Sequence, residues 1–134
     1  MQKTIFALAT GDQLSALSVI RVSGKDTEKV LKKLTLKKTP KERVLTLRSF
    51  YFPKSNKKVI DKCLLAWMPA PRSYTGEDCI EIYSHGGEAV FQGFFSALIS
   101  FPNVRYAEQG EFSKRAIING KTDLVKAEAV NDLI

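Results

Sequence analysis

The sequence is short of the residues that usually announce a chemistry. It holds a single histidine, His85, so no histidine-based metal cluster can be assembled. Its two cysteines, Cys63 and Cys79, are too few for a disulfide framework and lack metal-ligand spacing. Both lie in apolar stretches and are expected to be buried thiols. No apolar run approaches the ~20 residues that span a bilayer. Met1-Gln2-Lys3-Thr4 has no signal-peptide pattern, so the expectation is a cytoplasmic chain without a membrane partner. Gly120-Lys121-Thr122 looks like the end of a phosphate-binding loop, but the earlier glycine that loop requires is replaced by Arg115. No nucleotide-binding motif remains. Ser73 and Ser84 have no nucleophile-elbow spacing that would pair either with His85. Internal repeats and low-complexity segments are also missing.

What is present is an ordinary globular composition. The chain has 134 residues, 44% hydrophobic and 26% charged, enough for one domain with a real core. Its net charge of +7 is unevenly spread. Residues 25–62 carry 13 Lys/Arg against 4 Asp/Glu, whereas residues 63–134 carry 6 against 9. The basic segment is mostly lysine, with Arg43 and Arg48 its only arginines. A solvated face explains it, and steering of a polyanion such as RNA is the alternative.

Pattern along the chain gives the elements. Lys3–Ala9 and Leu17–Ser23 read as strands, joined through a loop at Gly11-Asp12. A helix follows, with Asp26 as its N-cap, Val30, Leu31 and Leu34 inward, and Lys29, Lys32 and Lys33 outward. Val44–Phe52 and Val59–Met68 read as a hairpin whose loop is the polar run from Pro53 to Lys58. Pro69-Ala70-Pro71 stops the second strand. The polar loop Arg72–Asp78 leads to the strand Cys79–Tyr83, which His85-Gly86-Gly87 breaks. Phe91, Phe94, Phe95 and Leu98 form the apolar stripe of a helix. Val104–Tyr106 is a short strand, and Glu111–Asn119 a helix closed by Gly120. A last helix begins near Asp123. Its apolar stripe runs into Leu133-Ile134 with no stop signal, which predicts a chain cut from a longer protein that continues as helix. The interleaving suggests an α+β fold: a mixed β-sheet with helices on one side.

Three residues stand out as candidates for binding. Glu81 projects from the strand face opposite Ile80 and Ile82. It either faces water or is held to accept a fork of two N–H donors, as on the 2-amino-4-oxopyrimidine ring of a pterin. Arg21 is a mid-strand cation, and Lys121 follows the helix-ending glycine. Each reaches either a ligand or solvent. The turn at His85-Gly86-Gly87 is read first as a tight turn and second as an anion contact.

Several stretches together resemble one family. They are Ile20-Arg21-Val22-Ser23-Gly24, Pro69 through Asp78, Ile80 through Gly87, Gly110 through Ala116, Asn119 through Leu124, and Ala127 through Ile134. In this order they are similar to the amino-terminal domain of the tRNA uridine-modification GTPases. That resemblance implies a fold similar to the folate-binding domain of the glycine-cleavage aminomethyltransferase. It also implies binding of 5-formyltetrahydrofolate and homodimerisation by residues 1–120, with residues 121–134 starting a helical domain. Arg21, Glu81 and Lys121 match the family's folate contacts. In the whole protein the resemblance implies a G domain using GTP, Mg and K, a flavin-dependent partner, and C5 modification of the wobble uridine of tRNA. This chain alone is expected not to hydrolyse GTP. One loop departs from the pattern: Thr10 to Leu17 lacks the family's prolines and arginine. A basic RNA-binding module and a purely structural dimerisation module without folate are the alternatives.

Overall fold

The computed structural model describes residues 2–9 and 17–121. The loop around Gly11-Asp12 and the last helix expected from Asp123 lie outside them. Strands β1 (Thr4–Leu8) and β2 (Leu17–Ser23) are followed by helix α1 (Thr27–Thr35). Strands β3 (Thr46–Phe52), β4 (Ser55–Met68) and β5 (Cys79–His85) come next. Helix α2 (Glu88–Ile99), strand β6 (Val104–Tyr106) and helix α3 (Glu111–Ile118) complete the order. The sheet has six strands in the order β3-β4-β5-β2-β1-β6. It is mixed, as expected: β6 joins β1 in parallel and every other pairing is antiparallel.

Alternation along each strand separates two faces. Leu65, Ile82, Ile20 and Leu8 form one row across the sheet, and Trp67, Ile80, Val22 and Phe6 form the next. Against these rows pack Val30, Leu31 and Leu34 of α1 and Phe94, Ala97 and Leu98 of α2, in one continuous core. Phe50 and Phe94 meet edge-on with ring centroids 5.3 Å apart, the geometry aromatic quadrupoles favour. Truncating one such buried phenylalanine costs about 3–5 kcal/mol. Both cysteines are buried and free, as expected, and burial, then the nearby Asp61 charge, pushes the Cys63 thiol up to about 12.

The structure departs from the sequence reading in four places. The helices are not all on one side. Helix α3 belongs to the opposite face, where its Phe112 lies against Arg21. Asp26 makes no side-chain cap. Its own N–H is instead taken by the Thr4 hydroxyl, 2.9 Å away, which ties the helix start to β1. The expected hairpin loop is mostly strand, because β4 starts at Ser55 and the β3 register shifts beside Tyr51 to absorb the difference. The strand expected to break at His85 includes it, since the His85 N–H is held 3.0 Å from Asp61 Oδ2.

Candidate functional site

The face away from α1 and α2 carries the charged residues singled out in the sequence. Register places Ala66, Glu81, Arg21 and Ala7 in one row across four strands. Glu81 and Arg21 are direct cross-strand partners. Arg21 donates from Nε at 3.0 Å and from Nη2 at 2.8 Å, both to Glu81 Oε2. Tyr83, two residues along β5, donates its hydroxyl to Oε1 at 2.7 Å. Burial, then this bond to Glu81, pushes the Tyr83 phenol up to about 12. The two charged side chains are 18% and 21% exposed, so the pair is neither free in water nor sealed.

Aromatic rings close over the Arg21 side of this pair. The Arg21 guanidinium lies 5.3 Å from the Tyr74 ring centroid and 5.7 Å from that of Phe112. Ala66 and Ala7 flank the pair in the same row. The Tyr74 hydroxyl bonds to that of Ser113 at 2.9 Å, so the loop from Arg72 to Asp78 and α3 act as one wall. That wall is fastened from below. Ser23 shares its hydroxyl with Thr75 and Glu77, each at 2.7 Å. The Gly24 N–H reaches the Asp78 carbonyl at 3.0 Å, and the Asn119 amide donates to the Thr75 carbonyl at 2.8 Å.

Gly76 explains how tightly the wall is built. It sits at φ +83, and a Cβ there would be 2.8 Å from that of Asn119. The Lys121 side chain packs beside the same glycine, with Cε 3.4 Å from where the Cβ would stand. The structure therefore joins Arg21 and Glu81 directly and sets Lys121 against the loop that carries Tyr74. Lys121 makes no bond to the pair. Tyr74, Tyr83 and Phe112 were not singled out in the sequence. Tyr83 had a signal, its two-residue spacing from Glu81 on one strand; Tyr74 and Phe112 had none, because loop and helix meet only in the fold.

A buried ion network supports α3 from beneath. Arg115, 2% exposed, donates to Glu77 at 3.0 Å, to Glu111 at 3.2 Å and to the Lys3 carbonyl at 2.6 Å. Arg105 grips Glu111 with two bonds of 2.7 and 2.6 Å. These bonds hold the Glu111 carboxyl at about 2, against the opposite push of burial. His85 lies apart, with Nδ1 3.0 Å from Asp61 Oδ1. Among the described residues no group of three or more His, Cys, Asp or Glu is placed to hold a metal ion, and no helix is long and apolar enough to cross a membrane.

Fold and site together define an α+β domain whose second sheet face holds a carboxylate–guanidinium pair under aromatic cover. The chain belongs to the family described as GTP-binding protein TrmE N-terminus, which matches residues 4–121. It is 46% identical over 131 residues to the tRNA modification GTPase MnmE of Pelagibacter ubique, covering 98% of this chain and 29% of that protein. It is 45% identical over 134 residues to the tRNA modification GTPase MnmE of Chelativorans sp., covering 100% and 30%. The mitochondrial 5-taurinomethyluridine-[tRNA] synthase subunit GTPB3 of Mus musculus is 45% identical over 132 residues, covering 98% and 27%. The chain thus spans less than a third of the length of these curated relatives.

Proposed function

We propose that this chain is the amino-terminal, folate-binding and dimerising domain of a tRNA-modification GTPase. The observation that carries the folate reading is the environment of Glu81. A carboxylate is held mid-sheet and already accepts two N–H bonds from one flat group, the Arg21 guanidinium, which itself lies against two aromatic rings. A pterin offers the same features: a flat ring and a fork of N–H donors. The residues present therefore fit a reduced folate.

In this reading Glu81 grips the pterin, and Arg21 and Lys121 favour the polar and anionic parts of 5-formyltetrahydrofolate. Tyr83 keeps Oε1 oriented. A fork that takes both carboxylate oxygens competes with Arg21 for Oε2, so ligand binding draws on the same charge that the pair now shares. The folate, when bound, supplies the one-carbon unit. Residues 1–120 make up this domain, and residues 121–134 begin the helical domain. The whole protein hydrolyses GTP with Mg and K in a separate G domain. It works with a flavin-dependent partner on C5 of the wobble uridine of tRNA, in the cytoplasm.

Calorimetric titration of 5-formyltetrahydrofolate into the chain, with Glu81→Ala alongside, tests the site. The expected outcome is saturable binding by the parent and at least a tenfold loss in the variant, since charged hydrogen bonds contribute about 1.5–3 kcal/mol each. Equal binding by both proteins would remove Glu81 from the site. No binding by either would leave a structural dimerisation module.

A further inference from the structure

Beyond the folate site, the structure gathers part of the lysine-rich segment at one place. Strand β3 is an edge of the sheet, and α1 packs beside it. Between them opens a groove of ≈ 330 Å³ lined by Lys37, Arg48 and Lys62 together with Thr35, Leu47, Ser49 and Tyr51. Three cations and the hydroxyls of Ser49 and Tyr51 therefore border one hollow with no acidic residue in its lining among the described residues, while the Thr35 hydroxyl is already given to the Leu31 carbonyl at 2.8 Å.

Each cation is delivered by a separate feature of the fold. Leu36 ends α1 in the left-handed conformation, at φ 59, and so turns the chain to bring Lys37 to the rim. Arg48 faces the helix side, opposite Cys63, and Lys62 lies on the other sheet face, opposite Ser49. The groove thus wraps around the edge strand from one face to the other. Neither lysine has a carboxylate within ion-pair distance among the described residues, whereas Glu28 and Glu42 in the same segment are already matched by Lys32 and Arg43. Arg48 Nε is shielded from solvent and has no hydrogen-bond partner among the described residues. Arg48 Nη1 donates to the Leu47 carbonyl at 3.0 Å, which fixes the guanidinium against the edge strand.

We infer that this groove binds the phosphodiester backbone of RNA. The choice of RNA rests on the tRNA part of the function proposed above; the phosphate chemistry rests on the groove alone. Arginine and lysine around a solvent-open hollow, with hydroxyls between them, suit phosphate oxygens and read no base. The contact positions an RNA without selecting its sequence.

The test is fluorescence-anisotropy titration of an unmodified tRNA transcript into the chain, between about 50 and 200 mM salt, where backbone contacts show their counterion release. A DNA duplex and anionic lipid vesicles serve as the other polyanions. Three variants accompany the parent. Lys37→Gln/Arg48→Gln/Lys62→Gln removes every cation of the groove. Lys37→Gln/Lys62→Gln changes only exposed lysines and so preserves the fold. Lys25→Gln/Lys29→Gln/Lys54→Gln makes the same charge change elsewhere. The expected result is that the groove variants weaken tRNA binding about tenfold or more, and that the triple variant flattens the salt slope by about 2–3. The control changes both little, and 5-formyltetrahydrofolate binding is retained throughout. Absence of tRNA binding by the parent, equal losses in control and groove variants, or tighter binding to vesicles than to tRNA each overturns the proposal. None of these outcomes bears on the folate titration, so the two readings fail separately.

Discussion

Arg115 is only 2% exposed, and Glu77, Glu111 and two backbone carbonyls surround it. Burying an ion pair gains little over packed hydrocarbon, but removing one partner strands the other. Arg115→Met is therefore expected to destabilise the domain by about 3–5 kcal/mol, read as a shift of the urea midpoint at constant slope. Glu111 makes a second residue-scale prediction. Its folded carboxyl titrates at about 2 against an ordinary value of 4.5, because Arg105 favours the charged form. A depressed carboxyl pKa contributes stability above the unfolded value and loses it as pH falls toward the folded one. Stability should thus decline between pH 4.5 and about 2, and Glu111→Gln, already weaker at neutral pH, should show a smaller decline there. Denaturant melts across that range check both statements.

At the scale of elements, the junction of β1, β2 and α1 is the tightest point of the fold. Gly24 sits at φ +142, and a Cβ on it would lie 2.5 Å from Thr4 Oγ1 and 2.6 Å from Thr4 Cα. The backbone of Thr4 cannot retreat, because its N–H is bonded to the Asn103 carbonyl at 2.9 Å and its residue lies in β1. Gly24→Ala should cost about 2–4 kcal/mol, from combined overpacking and backbone strain. The same substitution should weaken folate binding, since the Gly24 N–H anchors Asp78 at the base of the loop that carries Tyr74. Thermal unfolding and calorimetry on one protein would separate these effects: an unchanged affinity in a folded variant would uncouple the loop from the junction.

For the whole molecule, the open sheet face offers an interface to the proposed homodimer. Leu47, Leu64, Tyr83 and Val19 form a row across it. Leu47 is 51% exposed and Leu64 40%, and both line a mainly apolar hollow of ≈ 480 Å³ that adjoins the basic groove, the two sharing Leu47 and Lys62. Exposed leucines side by side favour burial against a partner, and the proposed homodimer supplies one. Leu47→Glu/Leu64→Glu is expected to convert a dimer into a monomer in analytical ultracentrifugation without unfolding it, because neither side chain is part of the core. A dimer that survives the double change would place the interface elsewhere.

Much of this architecture was legible from residue order. The two-residue alternation in Cys79–Tyr83 and the i, i+3, i+4, i+7 stripe of Phe91, Phe94, Phe95 and Leu98 are local, and local periodicity is what strands and helices obey. Glu81 and Arg21 could each be assigned to the polar side of a strand on the same ground. That they are partners could not, since they lie 60 residues apart and only strand register brings them opposite. The rings over the pair were hidden for a similar reason. Tyr74 comes from a loop and Phe112 from a helix, and a shared hydroxyl bond through Ser113 sets their relation. The placement of α3 followed no helical pattern either. That helix is held by Arg115, whose partners outside α3 are Lys3, Ser23 and Glu77, from three separate parts of the chain. Sequence by itself determined the elements and the chemical character of their faces, because those depend on neighbours along the chain. Only the tertiary structure decided which charges meet, because a buried or half-buried ion takes whichever partner the fold brings within hydrogen-bonding distance.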